Sequence, residues 1–172
     1  MGTKMTLNNI TNKTLPIDNI ITRKNLLSKG VFGLLICDLH GQTTFYSEYE
    51  KGYFKEKQII LSGFITALSL YAEEWGGFLT DVGIGIGKIS IKRFGEYIFC
   101  LFHSHKLHDG LTSESRSMVV ELIFRNIYLN FKKHCSVTIS ENNHKSIVHI
   151  QNMDSILLNI VDLASNMVLN NL

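Results

Sequence analysis

The amino-acid sequence predicts an α+β domain in which an antiparallel sheet is covered by helices. Two apolar runs, at residues 32–38 and 97–102, have the continuous hydrophobicity of strands that are buried on both faces. A turn follows the first run, and an alternating segment and a long amphipathic helix complete the block 31–75. This order of hairpin and helix is typical of small regulatory folds and differs from the alternating strands and helices of nucleotide-binding folds.

The size and composition of the chain favour one globular domain. Its 172 residues are 45% apolar and 19% charged, which is ordinary for a folded protein. The net charge is +2 and Lys and Arg are scattered, so we expect no basic surface for nucleic acid. We divide the chain into a disordered leader at 1–14, a domain at 15–135 and a C-terminal extension at 136–172 that packs on the domain.

The cysteine and hydropathy patterns favour a cytoplasmic protein. Cys37, Cys100 and Cys135 are an odd number of cysteines, and none lies in a CxxC motif, so a disulfide framework is not expected. Residues 1–13 are polar and lack the apolar segment of a signal peptide. No apolar run reaches the length of about 18 residues that a membrane span needs. We therefore expect no direct membrane insertion.

The N-terminal half is predicted to form a helix, a hairpin and a second, longer helix. Pro16 suits the first turn of the first helix and Gly30 its end, because proline is tolerated at the first helical position and glycine after the last. Gly41 is placed to turn the chain between the two strands. The pair Gly76-Gly77 then ends the long helix. The predicted elements are a helix at 16–28, strands at 32–38 and 43–49, and a helix at 57–75.

The long helix carries two neighbouring apolar rows, and we expect this wide face to lie against the sheet. Gly63 lies inside the helix, where glycine costs about 1 kcal/mol relative to alanine. We expect the helix backbone to approach the sheet so closely at Gly63 that a Cβ would not fit. The alternative is a tolerated glycine without such a contact. The rows are Ile60, Phe64, Ala67, Leu68, Tyr71 and Trp75, and Leu61, Ile65, Leu68 and Ala72.

The C-terminal half is predicted to complete the sheet and to add two helices. Ile89 and Ile91 alternate with Ser90 and Lys92, so their strand buries only one face. Thr112 and Ser113 offer N-caps for the helix that follows the last strand. The predicted elements are strands at 80–85, 88–94 and 96–104, a helix at 113–133, a weak hairpin within 136–150 and an amphipathic helix at 153–169.

The sequence GIGIGK contains Gly83, Gly85 and Gly87 but lacks the spacing of a phosphate-binding loop. Val82 stands where the loop needs its first glycine, and Ile89 stands where it needs Ser or Thr. The segment also leads into a strand, whereas a phosphate would need the N-terminal amides of a helix. These glycines are expected to flank or bend a strand.

Three histidines, His103, His105 and His108, follow one another at the end of the last predicted strand. Residues 103 and 105 would share a face of that strand, so a metal could bridge them. Apart from Asp109, no carboxylate or cysteine stands at an obvious ligand spacing, and a surface turn with three histidines is the alternative. No serine lies in a GxSxG motif. We assign no catalytic residue, cofactor or metal, and we predict that the chain is not an enzyme.

The order of these elements resembles the longin and roadblock domains. The matching pieces are the hairpin 32–49, the helix that carries Leu61-Ser62-Gly63-Phe64, the strands within 80–104 and the helix 113–133. The motif of two aliphatic residues followed by Ser-Gly-Phe looks like archaeal longin-like proteins in particular. The helix 16–28 is a roadblock trait and the C-terminal helix is closer to longins, so both families stay open.

The resemblance implies a five-stranded antiparallel sheet and a non-enzymatic platform. Longin and roadblock domains dimerise or bind small GTPases and trafficking or signalling proteins. The expected partner is therefore a small GTPase or another longin or roadblock domain, including a second copy of this chain. Such folds associate through an exposed edge strand and the adjoining helix. The expected interaction residues are Ile84, Ile86, Ile89, Ile91, Ile60 and Tyr71.

A second hypothesis comes from another class of protein. A ligand-sensing domain of the PAS or profilin-like type would bind a small molecule between sheet and helix. It predicts a cavity lined by Phe99, Leu101 and the helix that carries Phe64.

Overall fold

The computed structural model describes residues 17–52, 57–85, 87–105, 107, 111–134 and 153–169. The boundaries of the helices and strands in these ranges lie within one residue of those predicted from the sequence. The leader 1–14, Pro16 and the hairpin expected within 136–150 lie outside the described ranges. The helices are α1 (Ile17–Ser28), α2 (Gln58–Glu74), α3 (Ser113–His134) and α4 (Met153–Leu169), and the strands are β1 (Val31–Asp38), β2 (Thr43–Glu48), β3 (Asp81–Ile84), β4 (Gly87–Phe94) and β5 (Tyr97–Ser104).

The five strands form one antiparallel sheet in the order β2-β1-β5-β4-β3. The two continuously apolar strands, β1 and β5, lie side by side at its centre, and every residue of β1 is buried. β2 and β3 form the two edges. The structure therefore confirms the predicted fold class, a five-stranded antiparallel sheet with helices on its faces.

One face of the sheet is covered by α1, α3 and α4. Phe99 and Leu101 of β5 are fully buried in this layer, where the ring of Phe99 meets the ring of Phe131 edge to face at 5.3 Å. Burying a side chain of this size contributes about 1.5–3 kcal/mol relative to leaving it exposed. The helices contribute Leu26 of α1, Val119, Ile123, Phe124 and Ile127 of α3, and Met153, Leu157, Ile160, Val161 and Ala164 of α4.

The first turn of α4 is fastened to the β2 edge through one carboxylate. Arg23 Nε donates a hydrogen bond to Asp154 Oδ2 at 2.9 Å. The hydroxyls of Ser47 and Tyr49 donate to Asp154 Oδ1 at 2.8 and 3.1 Å. Burial, and next the nearby Asp154 carboxylate, raise the pKa of Tyr49 well above its ordinary value. A second carboxylate of α4, that of Asp162, pairs with Lys29.

In the described part of the chain, α2 is the element that covers the opposite face of the sheet. Its buried residues are Ser62, Ile65, Thr66 and Ser69, of which only Ile65 is large and apolar. Ile65 packs among the buried sheet residues of this face: Phe32, Leu35, Cys37, Ile89, Ile91, Ile98, Cys100 and Phe102. Burial raises the pKa of the Cys37 and Cys100 thiols.

The structure corrects the predicted orientation of α2. The row that contains Leu61, Ile65, Leu68 and Ala72 does turn toward the sheet. The residues that belong to the other row alone face solvent: Ile60, Phe64, Ala67, Tyr71 and Trp75. The sequence pattern favoured burial of both rows because both are apolar. In the structure, small hydroxyl side chains contact the sheet where the row of Ile60 was expected.

The expectation for Gly63 is also wrong in its detail. A Cβ placed on Gly63 would meet no atom within 4 Å, so this residue has room for a side chain. The close approach exists, but the residue without room is Gly41 in the turn between β1 and β2.

Candidate interaction surface

The solvent-facing side of α2 is a continuous apolar surface. Ile60 is 71% exposed and Trp75 is 77% exposed, and Phe64 and Tyr71 lie between them on the same side of the helix. Monomeric proteins rarely expose apolar patches of this extent unless they mark an interaction site. We call these side chains, with three exposed neighbours, the α2 surface: Ile59, Ile60, Phe64, Leu70, Tyr71, Trp75 and Phe78.

Hydroxyl side chains hold α2 in this orientation. Ser62 Oγ lies 2.7 Å from the carbonyl oxygen of Gly41 and donates a hydrogen bond to it. Thr43 Oγ1 donates to Ser62 Oγ at 3.2 Å. Because a serine projects less than a leucine, the helix backbone lies close to the hairpin and its larger apolar side chains point outward.

The end of α2 is fixed by a backbone cap. Gly76 has a φ of +73°, and its N–H donates to the carbonyl of Glu73 at 2.9 Å. The N–H of Gly77 donates to the carbonyl of Ala72 at 3.0 Å. This pattern of bonds is the Schellman motif. It directs the chain from Trp75 through Phe78 into β3.

β3 is an edge strand, so its outer side has no strand partner in the described part of the chain. Ile84 on this strand is exposed. Ile89 and Ile91 of β4, by contrast, are buried in the cluster beneath α2, so their side chains pack inside the domain. Ile86 lies outside the described residues. Of the six expected interaction residues, Ile60, Tyr71 and Ile84 are thus placed on the surface.

A groove of about 870 Å³ lies between the C-terminal half of α2 and the hairpin of β4 and β5. Arg93 crosses it to the carboxylate of Glu73, with Nη1–O distances of 2.5 and 2.6 Å. Phe78, which is 80% exposed, lines the groove together with buried Ile91. The groove extends from the end of α2 to Thr80, the residue before β3.

A second, polar cleft of about 390 Å³ lies on the other face of the sheet, between β4 and α3. At its floor, Ser90 Oγ and His103 Nε2 are 2.8 Å apart, and His103 Nδ1 is 2.8 Å from the carbonyl oxygen of Ser104. Because a carbonyl oxygen only accepts, Nδ1 carries the proton and Nε2 accepts from Ser90. Burial is the main cause that lowers the pKa of His103, against the bond to Ser104, which raises it.

The histidines are not arranged as a metal centre in the residues that the structure describes. Both ring nitrogens of His103 have partners, His105 is exposed on the following turn, and His108 lies outside the described ranges. No group of three or more candidate ligands occurs within those ranges. Sequence reasoning missed the Ser90–His103 pair, because only the register of β4 against β5 brings the two residues together.

The cavity expected for a ligand-sensing domain is not where the sequence placed it. Phe99 and Leu101 are fully buried beneath α3 and α4, whereas α2 lies on the opposite face of the sheet. Phe64 itself points to solvent. These three residues therefore do not share a cavity.

The described elements follow one another in the order expected from the resemblance to longin and roadblock domains. Two strands, a helix, three strands and a helix follow one another, and the strands make one antiparallel sheet. α1 precedes this unit and α4 follows it. Among the helices in the described ranges, none is both long and apolar enough to cross a membrane.

Comparisons with known proteins gave matches among solved structures. The chain is similar to Myxococcus xanthus MglB, with a TM-score of 0.38 and 10% identity over 55% of this chain and 82% of that one. It is also similar to the gliding protein MglB from Thermus thermophilus, with a TM-score of 0.35 and 12% identity over 54% of this chain and 76% of that one. No protein-family model and no curated protein matches the sequence.

Proposed function

We propose that this protein is a non-enzymatic interaction module that self-associates through the α2 surface and the β3 edge and serves as a platform for a small GTPase. The observation that carries the proposal is the orientation of α2, whose larger apolar side chains face solvent. A helix that packs small hydroxyl groups on its own sheet and exposes aromatic rings to solvent has the character of a protein–protein interface.

The extent of the α2 surface suits a stable interface. Each of its seven side chains exposes roughly 100 Å², which together approach the value of about 800 Å² per partner that specific interfaces bury. Aromatic residues at the centre of such a patch are the side chains that carry most of the binding energy. Tyr71 and Trp75, whose ring centroids are 6.0 Å apart, supply that centre.

A second copy of this chain is the simplest partner. An edge strand can pair antiparallel with its own copy across a twofold axis, since the same residues then face each other in both directions. Such pairing would extend the sheet and would bring the two α2 surfaces to the same side of it. A related longin or roadblock domain would fit in the same way.

The small-GTPase part of the proposal rests on the resemblance to longin and roadblock domains. Its support is the element order together with the Ile60-Leu61-Ser62-Gly63-Phe64 motif, which lies on the helix that forms the surface. A dimer would offer the GTPase two copies of whatever surface remains outside the interface.

Self-association is tested by size-exclusion chromatography with light scattering over a range of concentrations. We expect a dimer for the native chain and a monomer for Phe64→Asp, because a carboxylate in an apolar interface must be desolvated without a partner. The matched control is Leu129→Asp on α3, since Leu129 is 62% exposed and Phe64 is 52% exposed. A native chain that stays monomeric at every concentration would contradict the dimer.

The GTPase partner is tested by affinity capture with the full chain, in the presence of GDP or a non-hydrolysable GTP analogue. We expect mass spectrometry to identify a small GTPase whose capture depends on the nucleotide. The capture of other protein classes only, or of the same proteins with either nucleotide, would overturn this part while the dimer is judged separately.

A further inference from the structure

The polar cleft between β4 and α3 lies on the face of the sheet opposite the α2 surface, and Asp81 of β3 lines one side of it. Over β1 and β5 this face is covered by apolar side chains. Over β4 the side chains that face α3 are polar, since Lys88, Ser90 and Lys92 occupy alternate positions of the strand and point toward that helix. The helix and the strand therefore enclose a charged space in place of an apolar contact.

The cations of the cleft outnumber its carboxylates. Lys88 pairs with Asp81 at 3.1 Å and Lys92 pairs with Glu121 at 2.9 Å. Both pairs are more than a third exposed, so water screens them and an anionic ligand can replace either carboxylate. Each ammonium group also keeps N–H donors that these carboxylates do not use.

Arg116 of α3 adds a charge that no carboxylate in the described ranges neutralises. Its three donor nitrogens bond to carbonyl oxygens, two of them to Leu111 and one, at 2.6 Å, to His105. These bonds fix the guanidinium at the mouth of the cleft but leave its positive charge in place. Lys88 is the cross-strand neighbour of His103, and Arg116 bonds to His105 two residues further on, so Lys88 and Arg116 lie at the same end of the cleft.

The floor and walls of the cleft are suited to a small molecule. The volume of about 390 Å³ falls in the range of small-ligand sites. The buried Ser90–His103 pair is satisfied internally, so it forms a fixed polar floor. Val120 and Phe124 of α3 supply an apolar wall beside the charged end.

We propose that this cleft binds a small organic oxyanion, with the anionic group at Lys88 and Arg116 and the apolar part of the ligand against Val120. Phosphate monoesters and carboxylates share this chemistry. A basic end, a rigid polar floor and an apolar wall in one cleft are the combination that recognises such a ligand.

The test is an NMR titration of the ¹⁵N-labelled full chain with inorganic phosphate and, separately, with acetate at constant pH and ionic strength. We expect saturable shifts at the amides of 88–92, 103–105 and 113–117. The anion that binds more tightly distinguishes a phosphate ester from a carboxylate. Shifts that never saturate with either anion, or that spread evenly over the surface, would overturn the proposal.

Variants separate a binding site from general attraction of anions. Lys88→Gln removes one charge-assisted contact and is expected to weaken binding about tenfold or more. Lys88→Arg keeps the charge and should retain binding, and Lys132→Gln on the exposed side of α3 is the matched control. Equal affinities of Lys88→Gln and Lys132→Gln would contradict the site. The same titration of the Phe64→Asp variant separates this result from the dimer, because Phe64 does not line the cleft.

Discussion

Gly41 in the turn between β1 and β2 packs directly on Gly63 of α2: a Cβ on Gly41 would lie 3.0 Å from the Cα of Gly63. This contact excludes a side chain at only one of the two glycines. Gly41 also has a φ of +78°, whereas a Cβ on Gly63 would point into open space. The hairpin turn therefore needs its glycine for two reasons, and the helix does not need its own.

Gly41→Ala is expected to destabilise the domain by about 1–3 kcal/mol, since the new methyl group adds backbone strain to a contact with the helix. Urea unfolding monitored by circular dichroism measures this change. The outcome that would contradict it is an unchanged midpoint.

Gly63→Ala is expected to have the opposite sign. Alanine is favoured over glycine inside a helix by about 1 kcal/mol, and the added Cβ meets nothing. The same urea experiment should show an unchanged or higher midpoint. A clear loss of stability would mean that the helix is closer to its surroundings than the structure shows.

Asp154→Ala tests how α4 is fastened to the β2 edge. The side chain of Asp154 is mostly buried and accepts bonds from Arg23, Ser47 and Tyr49. Removing an acceptor of several buried donors is expected to cost about 1–3 kcal/mol. The unfolding free energy from urea titration is the measurement.

The control for Asp154→Ala is a second substitution on the same helix. Asp162 pairs with Lys29 in a more exposed position, so Asp162→Ala is expected to change stability by less than about 1 kcal/mol. Equal losses for the two variants would show that the bonds to Ser47 and Tyr49 add nothing.

The two edge strands allow a matched test of the proposed dimer. Ile84 on β3 is 41% exposed and Tyr46 on β2 is 42% exposed. Lysine on an edge strand opposes pairing with another strand, because a paired edge would bring the two charges together. Ile84→Lys should therefore give a monomer in light scattering, and Tyr46→Lys should leave the dimer intact. The reverse result would move the interface to the β2 edge.

The sequence predicted the elements of this fold better than the directions in which their side chains point. The boundaries of α2 follow from the apolar rows and from Gly76, which are local signals. Which of the two apolar rows packs on the sheet, that of Ile60 or that of Leu61, depends on the residues that contact the helix in the folded chain. The two rows are equally hydrophobic, so hydrophobicity does not distinguish them. The small residues Ser62 and Thr66 were the available signal, since small side chains are typical of close packing.

The Ser90–His103 pair was missed for a related reason. The two residues are thirteen positions apart and meet diagonally across β4 and β5, where Lys88 is the direct neighbour of His103. Register is a property of the paired strands, so a sequence motif such as the three histidines suggested a metal centre more readily than a hydrogen bond to a serine.

The buried imidazole of His103 is expected to make stability depend on pH. Burial lowers its pKa below the ordinary value of 6.5, with Lys88 and His105 acting in the same direction and Ser104 and Asp81 opposing it. Below pH 6.5 the unfolded chain therefore binds a proton that the folded chain binds only at lower pH. The stabilisation is complete above that pH and is lost as the pH falls toward the folded pKa, by at most about 1.4 kcal/mol per pH unit.

His103→Gln removes this contribution, so the native chain should lose more stability than the variant between pH 7 and pH 5. Urea unfolding at a series of pH values gives the two slopes. His40→Gln is the matched control, because His40 lies in the exposed turn after β1 and is not among the groups that shift the pKa of His103. Parallel curves for the native chain and His103→Gln would mean that the imidazole takes up its proton equally well in the folded chain, which the buried bond to Ser90 argues against.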